Sequence, residues 1–554
     1  MYQFLQLSSL EKVMLGGKLR TETELTSMSG FRNETLSYQI AYTALRTEEL
    51  AGAFIPNQDF KVTVESALAP YITLREVESV PVAFPDYGHT GDPDILSREP
   101  GLFPDLLMPM SRPYIIARAD KYHSLWVTVK LDGSVPAGTY PVVIRFEGEK
   151  GLTVCKQMQI EILDAMLPPQ ELLFSQWFHT DCIATHYGVK VFSAKHWELI
   201  EKFMIAARES GINTILTPLF TPPLDTAVGK ERPTVQLVDV EKDADGYHFG
   251  FDKLRRWVAL AKKCGMVNFE MSHLFTQWGV KAAPKVVVKV NGRNKKLFGW
   301  HTPATGEAYK TFLQAFLPEL LRVLEELGIE KNSYFHISDE PHADHLPDYL
   351  AAKAIVAPYL KGYPIMDALS DLSLYQEGAV DRPIVVTSRV TPFLEAKVPD
   401  LMVYYCCSPA NDVCNGYIAM PANRVRALGL QMYKYDIKGF LQWGFNFYYS
   451  QNSKEAVNPF LITDAKGAFP SGDAFRVYPG PDGPWDSMRI PVFYDGLQDV
   501  RALRLLESYM GREETIRWME QTLGEEVTFV HYVHAPEALL GLREAVNQKI
   551  KEYL

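Results

Sequence analysis

Between Leu173 and Trp443 the chain alternates eight times between a short apolar run and a longer stretch with helical spacing. The runs cover residues 173–178, 212–220, 267–272, 333–337, 363–367, 383–387, 401–406 and 438–443. Strands that are apolar throughout need cover on both faces, and intervening helices supply it. Eight strand–helix units in succession predict an α/β fold, a (β/α)8 TIM-type barrel. The helical stretches carry start and stop signals. Ser193 can cap a helix with Trp197, Ile200, Phe203 and Ala207 on one face, and Gly211 stops it. Asp252 can cap another that ends at Gly265, and a long pattern over 307–327 ends at Gly328, with a kink expected at Pro318. After the third strand, 285–290, Asn291-Gly292 and 295–298 read as a hairpin projecting from the C-terminal face.

The first 166 residues follow another rule. Residues 125–130 and 141–147 alternate, 134–140 has turn chemistry, and 152–163 supplies a further strand. Short alternating strands with Gly/Pro punctuation predict an antiparallel β-sandwich, whose aromatics such as Trp126 belong to its core. Residues 85–113, rich in Pro, Gly and Asp, read as a long loop. Leu167-Pro168-Pro169-Gln170 marks a boundary, because consecutive prolines stop both helix and central strand. The expected domains are 1–166, the sandwich, and 171–554, the barrel with a C-terminal extension.

Composition excludes several partners. The 56 Lys and Arg against 67 Asp and Glu give −11 with no basic stripe, so no nucleic acid is expected. No apolar run reaches the ~18 residues of a membrane span, so no membrane insertion is expected. The segment MYQFLQLSSLEKV lacks the parts of a secretory signal, and the six cysteines are scattered without a C-x-x-C. A cytoplasmic setting is the expectation. No Walker A loop or convincing G-x-G-x-x-G is present, which removes nucleotide readings. No oligomeric state is read from the sequence.

In such a barrel the reacting groups stand at the C-terminal ends of the strands. Those ends offer Trp177, His179, His273, Trp278, Asp367, Tyr405, Trp443, Asn446 and Tyr448, with Trp300 and His301 across the hairpin. Aromatic faces beside carboxylates and amides suit a sugar, which presents C–H patches to rings and hydroxyls to polar edges. Any one of these tryptophans could be plain core; several at strand ends point to an oligosaccharide or glycoconjugate substrate. The fourth strand ends in the adjacent acids Asp339-Glu340. Most glycosidases flank the bond with two carboxylates from different strands, which neighbours in one chain do not easily do. Neighbours can serve a substrate-assisted reaction, in which the sugar's 2-acetamido oxygen attacks C1. Asp339 would then orient the acetamide N–H, and Glu340 would act as general acid and then base, with a raised pKa.

The same residues have the composition of a helix start, with Pro341 near its first position, and the two readings are compatible. His336, Asp339, Glu340, His342, Asp344 and His345 are numerous enough for Zn²⁺, but H-E-x-x-H is missing and His179 stands alone on the first strand. No metal or cofactor is expected. A nucleophilic role for Cys406 or Cys407 is weaker still, since strand cysteines are usually inert.

Residues 334–342, YFHISDEPH, resemble the fourth-strand motif of glycoside hydrolase family 123, the β-N-acetylgalactosaminidases. Residues 192–219, 272–279 and 438–446, and the late Tyr478-Pro479-Gly480 and Asp495-Gly496, resemble the same family, so the likeness spans nearly the whole chain. The resemblance implies a β-sandwich followed by a (β/α)8 domain. It also implies exo-acting release of terminal β-linked GalNAc with retention through an oxazoline, and it carries the orienting Asp onto Asp339 and the acid/base onto Glu340. GalNAc over GlcNAc rests on the resemblance alone. The missing export signal departs from a role on surface glycolipid and fits trimming of imported oligosaccharides. Two alternatives stand: a conventional two-carboxylate glycosidase using Asp367 or another strand-end acid, and a non-catalytic carbohydrate-binding protein.

Overall fold

Seven of the eight apolar runs, and a strand just after the fifth, form one all-parallel sheet in the computed structural model, which describes residues 2–17, 19–21, 23–45, 57–88 and 91–554. We label its strands β1 (Leu173–Gln176), β2 (Thr214–Thr217), β3 (Asn268–Met271), β4 (Ser333–Phe335), β5 (Ala368–Leu369), β6 (Ile384–Val386), β7 (Met402–Tyr404) and β8 (Gly439–Gln442). Their order is β4-β3-β2-β1-β8-β7-β6-β5, so the first and last strands in the chain are neighbours. A parallel bridge between Phe335 and Ile365 joins β4 to the residues preceding β5. There Phe335 N–H donates to Pro364 O at 3.0 Å and Met366 N–H to Phe335 O at 2.9 Å. The fifth run, expected at 363–367, thus meets β4 first and enters the ladder with β6 three residues later.

Alternate side chains face opposite ways along each strand. Leu173, Leu216, Ile384, Met402 and Leu441 cluster with one another on one face. Phe174, Ile215, Phe269, Val385, Val403 and Phe440 belong to the larger core shared with the helices. Each such side chain contributes about 1.5–3 kcal/mol by leaving water. Helix Ala194–Glu209 starts where Ser193 Oγ accepts His196 N–H at 3.3 Å. Asp252 does not cap its helix. It is the first helical residue of Asp252–Lys263, where its charge suits the positive end of the helix. Helix Glu307–Glu326 runs on through Pro318, because burial of Phe312, Phe316, Leu320 and Val323 outweighs the ~3 kcal/mol a mid-helix proline costs. The hairpin Val286–Val290 and Arg293–Phe298 turns at Asn291 and Gly292, both at positive φ, and joins Asp239–Lys242 and Tyr247–Gly250 in a four-stranded sheet.

Two five-stranded sheets precede this region. One runs in the order Tyr2–Ser8, Thr35–Ala44, His123–Lys130, Ile72–Val82, Gly101–Pro109; the other runs Ser27–Phe31, Thr153–Leu163, Gly138–Glu147, Gln58–Glu65, Tyr114–Ala117. They share a core that includes Ile40, Leu125 and Val127 from the first and Phe60, Ile144 and Ile160 from the second. Pairing is antiparallel except between Ser27–Phe31 and Thr153–Leu163. The long loop expected over 85–113 is corrected by the strand Gly101–Pro109 inside it. That strand lies at a sheet edge, where Pro104 has no second neighbour to disappoint, and the register shifts opposite it between Glu78 and Ser79.

The edge strand also fastens the two regions. Asp105, fully buried, accepts Arg489 Nε and Nη2, both at 2.9 Å, and Tyr478 OH at 2.7 Å; Lys12 Nζ stands 3.9 Å away. Burial raises the Asp105 pKa, but the charges of Arg489 and Lys12 outweigh it and hold the carboxyl below its usual range. An isolated antiparallel bridge joins Leu106 to Ser487 beside it.

Candidate active site

Beyond the C-terminal ends of the strands lies a cavity of about 140 Å³. Trp177, Trp278, Trp443, Phe469 and Leu441 supply its apolar wall; Asp225, Gln277, Asp339, Glu340, Tyr404, Cys406, Cys407 and Gln451 supply its polar groups. Three carboxylates face it and, among the described residues, no Lys or Arg does. Such a site disfavours phosphate and stabilises a developing positive charge.

The acid pair stands on the loop that leaves β4. The helix expected to start there begins only at Leu346, after a 3₁₀ turn at Ala343–His345, so neither acid caps it. Glu340 has φ of +47°, a left-handed conformation that costs a non-glycine residue about 1 kcal/mol or more. The loop is held in it from several sides. Asp367 Oδ2 accepts Ile337 N–H at 3.1 Å and Ser338 N–H at 3.2 Å, and Ser338 Oγ donates to Thr276 O at 2.8 Å. Trp278 N–H donates to Asp339 O at 3.2 Å, and Tyr404 OH donates to Glu340 Oε1 at 2.8 Å. Burial, then the charge of Glu340, then that of Asp367, push the Asp339 carboxyl well above the usual range.

A buried ionic layer underlies the pair. His336 Nδ1 lies 2.8 Å from Asp367 Oδ1 and Nε2 lies 2.7 Å from Glu270 Oε1, with all three residues fully buried. Burial disfavours the imidazolium, but its bonds to Asp367 and Glu270 outweigh that and raise its pKa to about 10. Glu270 also accepts Trp177 Nε1 at 2.7 Å and Ser175 Oγ at 2.5 Å, which fixes the indole in the cavity wall. On the other side Trp443 Nε1 donates to Asp473 Oδ2 at 3.0 Å, and its carbonyl lies 2.8 Å from His179 Nε2. Arg232, paired with Asp181 at 2.7 Å, donates to His179 Nδ1 at 3.0 Å, so the imidazole is neutral with its hydrogen on Nε2. Burial and then the Arg232 charge push its pKa down to about 3.

Of the residues the sequence singled out, Asp339, Glu340, Trp177, Trp278 and Trp443 share the cavity wall. The others stand elsewhere. Asp367 is buried with its oxygens taken by His336, two backbone N–H groups and Tyr349 OH at 2.5 Å. Tyr405 packs against Phe440, away from the cavity that its neighbour Tyr404 lines. His179 and Asn446 bind each other through backbone and amide, at 2.8 and 3.1 Å, and Tyr448 OH donates to Val477 O at 2.9 Å. His273 is buried and stacks on His336 with ring centres 4.3 Å apart. Trp300 lines a separate cleft with Pro222 and Pro223, and His301 is exposed.

Sequence reasoning passed over Asp225, and of the strand-end pair Tyr404-Tyr405 it chose Tyr405. Asp225 stands on the loop after β2, where Pro222-Pro223 signals only a turn. Its Oδ2 accepts Asn452 N–H at 2.9 Å, its N–H donates to Gln277 Oε1 at 2.8 Å, and burial pushes its carboxyl up to about 6. Among the described residues, His273, His336 and Asp367 bring ligand atoms within 4.8 Å of one another, the spacing a metal ion would need. Both ring nitrogens of His336 are already engaged there by carboxylates.

The family model for the catalytic domain of glycoside hydrolase 123 matches residues 177–506, a span that contains the whole cavity wall. The chain belongs to glycoside hydrolase family 123. A solved family 123 glycoside hydrolase from Clostridium perfringens, studied for glycolipid glycan hydrolysis, is similar over 100% of this chain and 99% of its own. The TM-score is 0.75 at 14% identity, a likeness of fold. A glycoside hydrolase family 5 xyloglucanase from Bacteroides ovatus, in complex with a heptasaccharide, gives a TM-score of 0.29 at 8% identity, covering 85% of this chain and 98% of its own. No curated protein matches the chain in sequence. Among the described residues, no helix is long and apolar enough to cross a membrane.

Proposed function

We propose that this family 123 glycoside hydrolase is a retaining exo-enzyme that releases terminal β-linked N-acetylgalactosamine by substrate assistance. The observation that carries the reading is the adjacent pair Asp339-Glu340, held in a strained loop in one cavity with three tryptophans. Asp339 accepts the acetamide N–H, and its ionised form balances the oxazolinium charge as the acetamide oxygen closes on C1. Glu340 gives its proton to the leaving oxygen, and Tyr404 keeps its carboxylate aimed. Water then attacks C1, Glu340 takes its proton, and the sugar leaves with its β configuration restored. Burial and the neighbouring charges make Asp339 hold a proton more firmly than a solvated carboxyl, and the incoming amide N–H favours its release.

The bridge from Phe335 to Ile365 supports reading the parallel sheet as a closed (β/α)8 barrel, with 171–554 the catalytic domain and 1–166 a β-sandwich domain. Six free thiols fit a reducing cytoplasm and an imported oligosaccharide as substrate. Asp225 favours one rival: as a third carboxylate in the cavity it could be the nucleophile of a two-carboxylate reaction on an unacetylated sugar.

Initial rates on p-nitrophenyl β-GalNAc, β-GlcNAc and β-galactoside, for wild type, Asp339→Asn, Glu340→Gln and Asp225→Asn, separate the readings. Substrate assistance expects turnover of acetamido sugars alone, insensitive to EDTA and lost by ~10²-fold or more in Asp339→Asn and Glu340→Gln. Galactoside turnover with Asp339→Asn near wild type overturns it and promotes Asp225.

A further inference from the structure

The cavity wall contains two neighbouring thiols that the proposed reaction does not use. Cys406 and Cys407 follow β7, both are partly exposed, and their sulfurs lie 3.9 Å apart. The turn that carries them is built. Asn415, fully buried, donates from Nδ2 to Cys406 O at 2.8 Å and to Pro409 O at 2.7 Å, and Cys406 N–H donates to Ser408 O at 3.0 Å. The spacing decides what the pair can do. A disulfide would have to draw the sulfurs together by about 1.9 Å, across Cα atoms only ~3.8 Å apart, short of the usual 4.4–6.8 Å. An ion ~2.3 Å from each sulfur fits with little movement, since a 3.9 Å span then subtends an angle of about 116°, close to tetrahedral.

We propose that Cys406 and Cys407 form a chelating dithiol that takes a thiophilic d¹⁰ divalent cation on the wall of the cavity holding Glu340. The ion bonds to both sulfurs, displaces both thiol protons to solvent and changes no oxidation state. Both sulfurs give up their protons on binding, so the ion competes with protons for the pair. A cation there would draw on the Glu340 carboxylate and fill space a sugar needs, so it would inhibit hydrolysis.

The test is a titration of the full chain with Cd²⁺, following the ultraviolet thiolate-to-cadmium absorption and the protons released. The expected result is one strongly bound ion per chain and two protons per ion. Binding should be weaker by 10-fold or more in Cys406→Ser and in Cys407→Ser, and unchanged in Cys155→Ser, whose thiol is exposed and remote in sequence. Should either Ser variant fail to fold, iodoacetamide labelling of wild type decides, with Cd²⁺ shielding Cys406 and Cys407 and leaving Cys155 reactive. An undiminished band in either variant, no band in wild type, or no shielding overturns the proposal. Inhibition reversed by EDTA additionally requires the proposed function; the absorption band does not, so the two fail separately.

Discussion

Replacing His336 by Gln removes the cation between Glu270 and Asp367, and the cost can be worked from the site. The folded imidazole titrates at about 10, against 6.5 for a free one, so folding binds its proton more tightly. A pKa raised on folding gives stability that is complete below 6.5 and lost as pH climbs through 10. The shift corresponds to about 5 kcal/mol, undiminished by solvent because all three side chains are fully buried. A Gln amide can donate to one carboxylate only and turns its oxygen on the other. Leaving buried charge unpaired costs about 3–5 kcal/mol. At about 2.1 cal/mol/K per residue, the 554-residue chain melting as one unit has an unfolding entropy near 1.2 kcal/mol/K. A 4 kcal/mol loss then lowers Tm by about 3–4 °C at pH 7. Differential scanning fluorimetry of both proteins from pH 7 to 10 should show the gap closing as wild type sheds its proton. Equal melting at pH 7, or a gap that stays constant to pH 10, would refute the ion-pair argument.

Three further outcomes follow from the geometry. Tyr404→Phe, which removes the bond to Glu340, should lower kcat by about 10-fold or more at little cost in KM, read from initial rates on the substrate the panel identifies. Asp225→Asn should stabilise the fold by about 1–2 kcal/mol at pH 7.5. Its carboxyl titrates at about 6 when folded and 3.8 otherwise, so the ionised form is held against its preference above pH 6; an unchanged or lower Tm counts against this. Gly444→Ala should lower Tm and broaden Trp443 fluorescence, because a Cβ there meets the Ala474 backbone, and a crystal structure with Ala474 unmoved would contradict it.

The elements were legible because their signals are local. Gly211, Gly265 and Gly328 each stop a helix at positive φ, and seven of the eight apolar runs reappear as strands with ends trimmed, while β5 falls just beyond the fifth run. The edge position of Gly101–Pro109 was hidden, since it depends on which strand fails to arrive beside it. At the site, the acid pair and three tryptophans were readable as strand-end chemistry. The choice between Tyr404 and Tyr405 was not: neighbours in a strand face opposite ways, and only the pleat says which meets the cavity. Asp367 shows the converse, a strand-end acid whose surroundings supply four donors and so turn it into a support for the loop above. Asp225 reaches the cavity from a loop eight residues beyond β2, where no periodicity operates.

The bond between Asp105 and Arg489 spans 384 residues of chain, and that number is also a delay. At ~5–20 residues per second of synthesis, about 20–80 s pass between the emergence of the carboxylate and that of its guanidinium. Throughout that interval the strand Gly101–Pro109 has Lys12 near Asp105 but lacks both the Arg489 guanidinium that bonds the carboxylate and the Ser487 backbone that covers Leu106. A nascent chain of this enzyme therefore carries an open sheet edge with a solvated acid at its centre, and that acid guards the edge against pairing with other chains until the helix Arg489–Met510 is made.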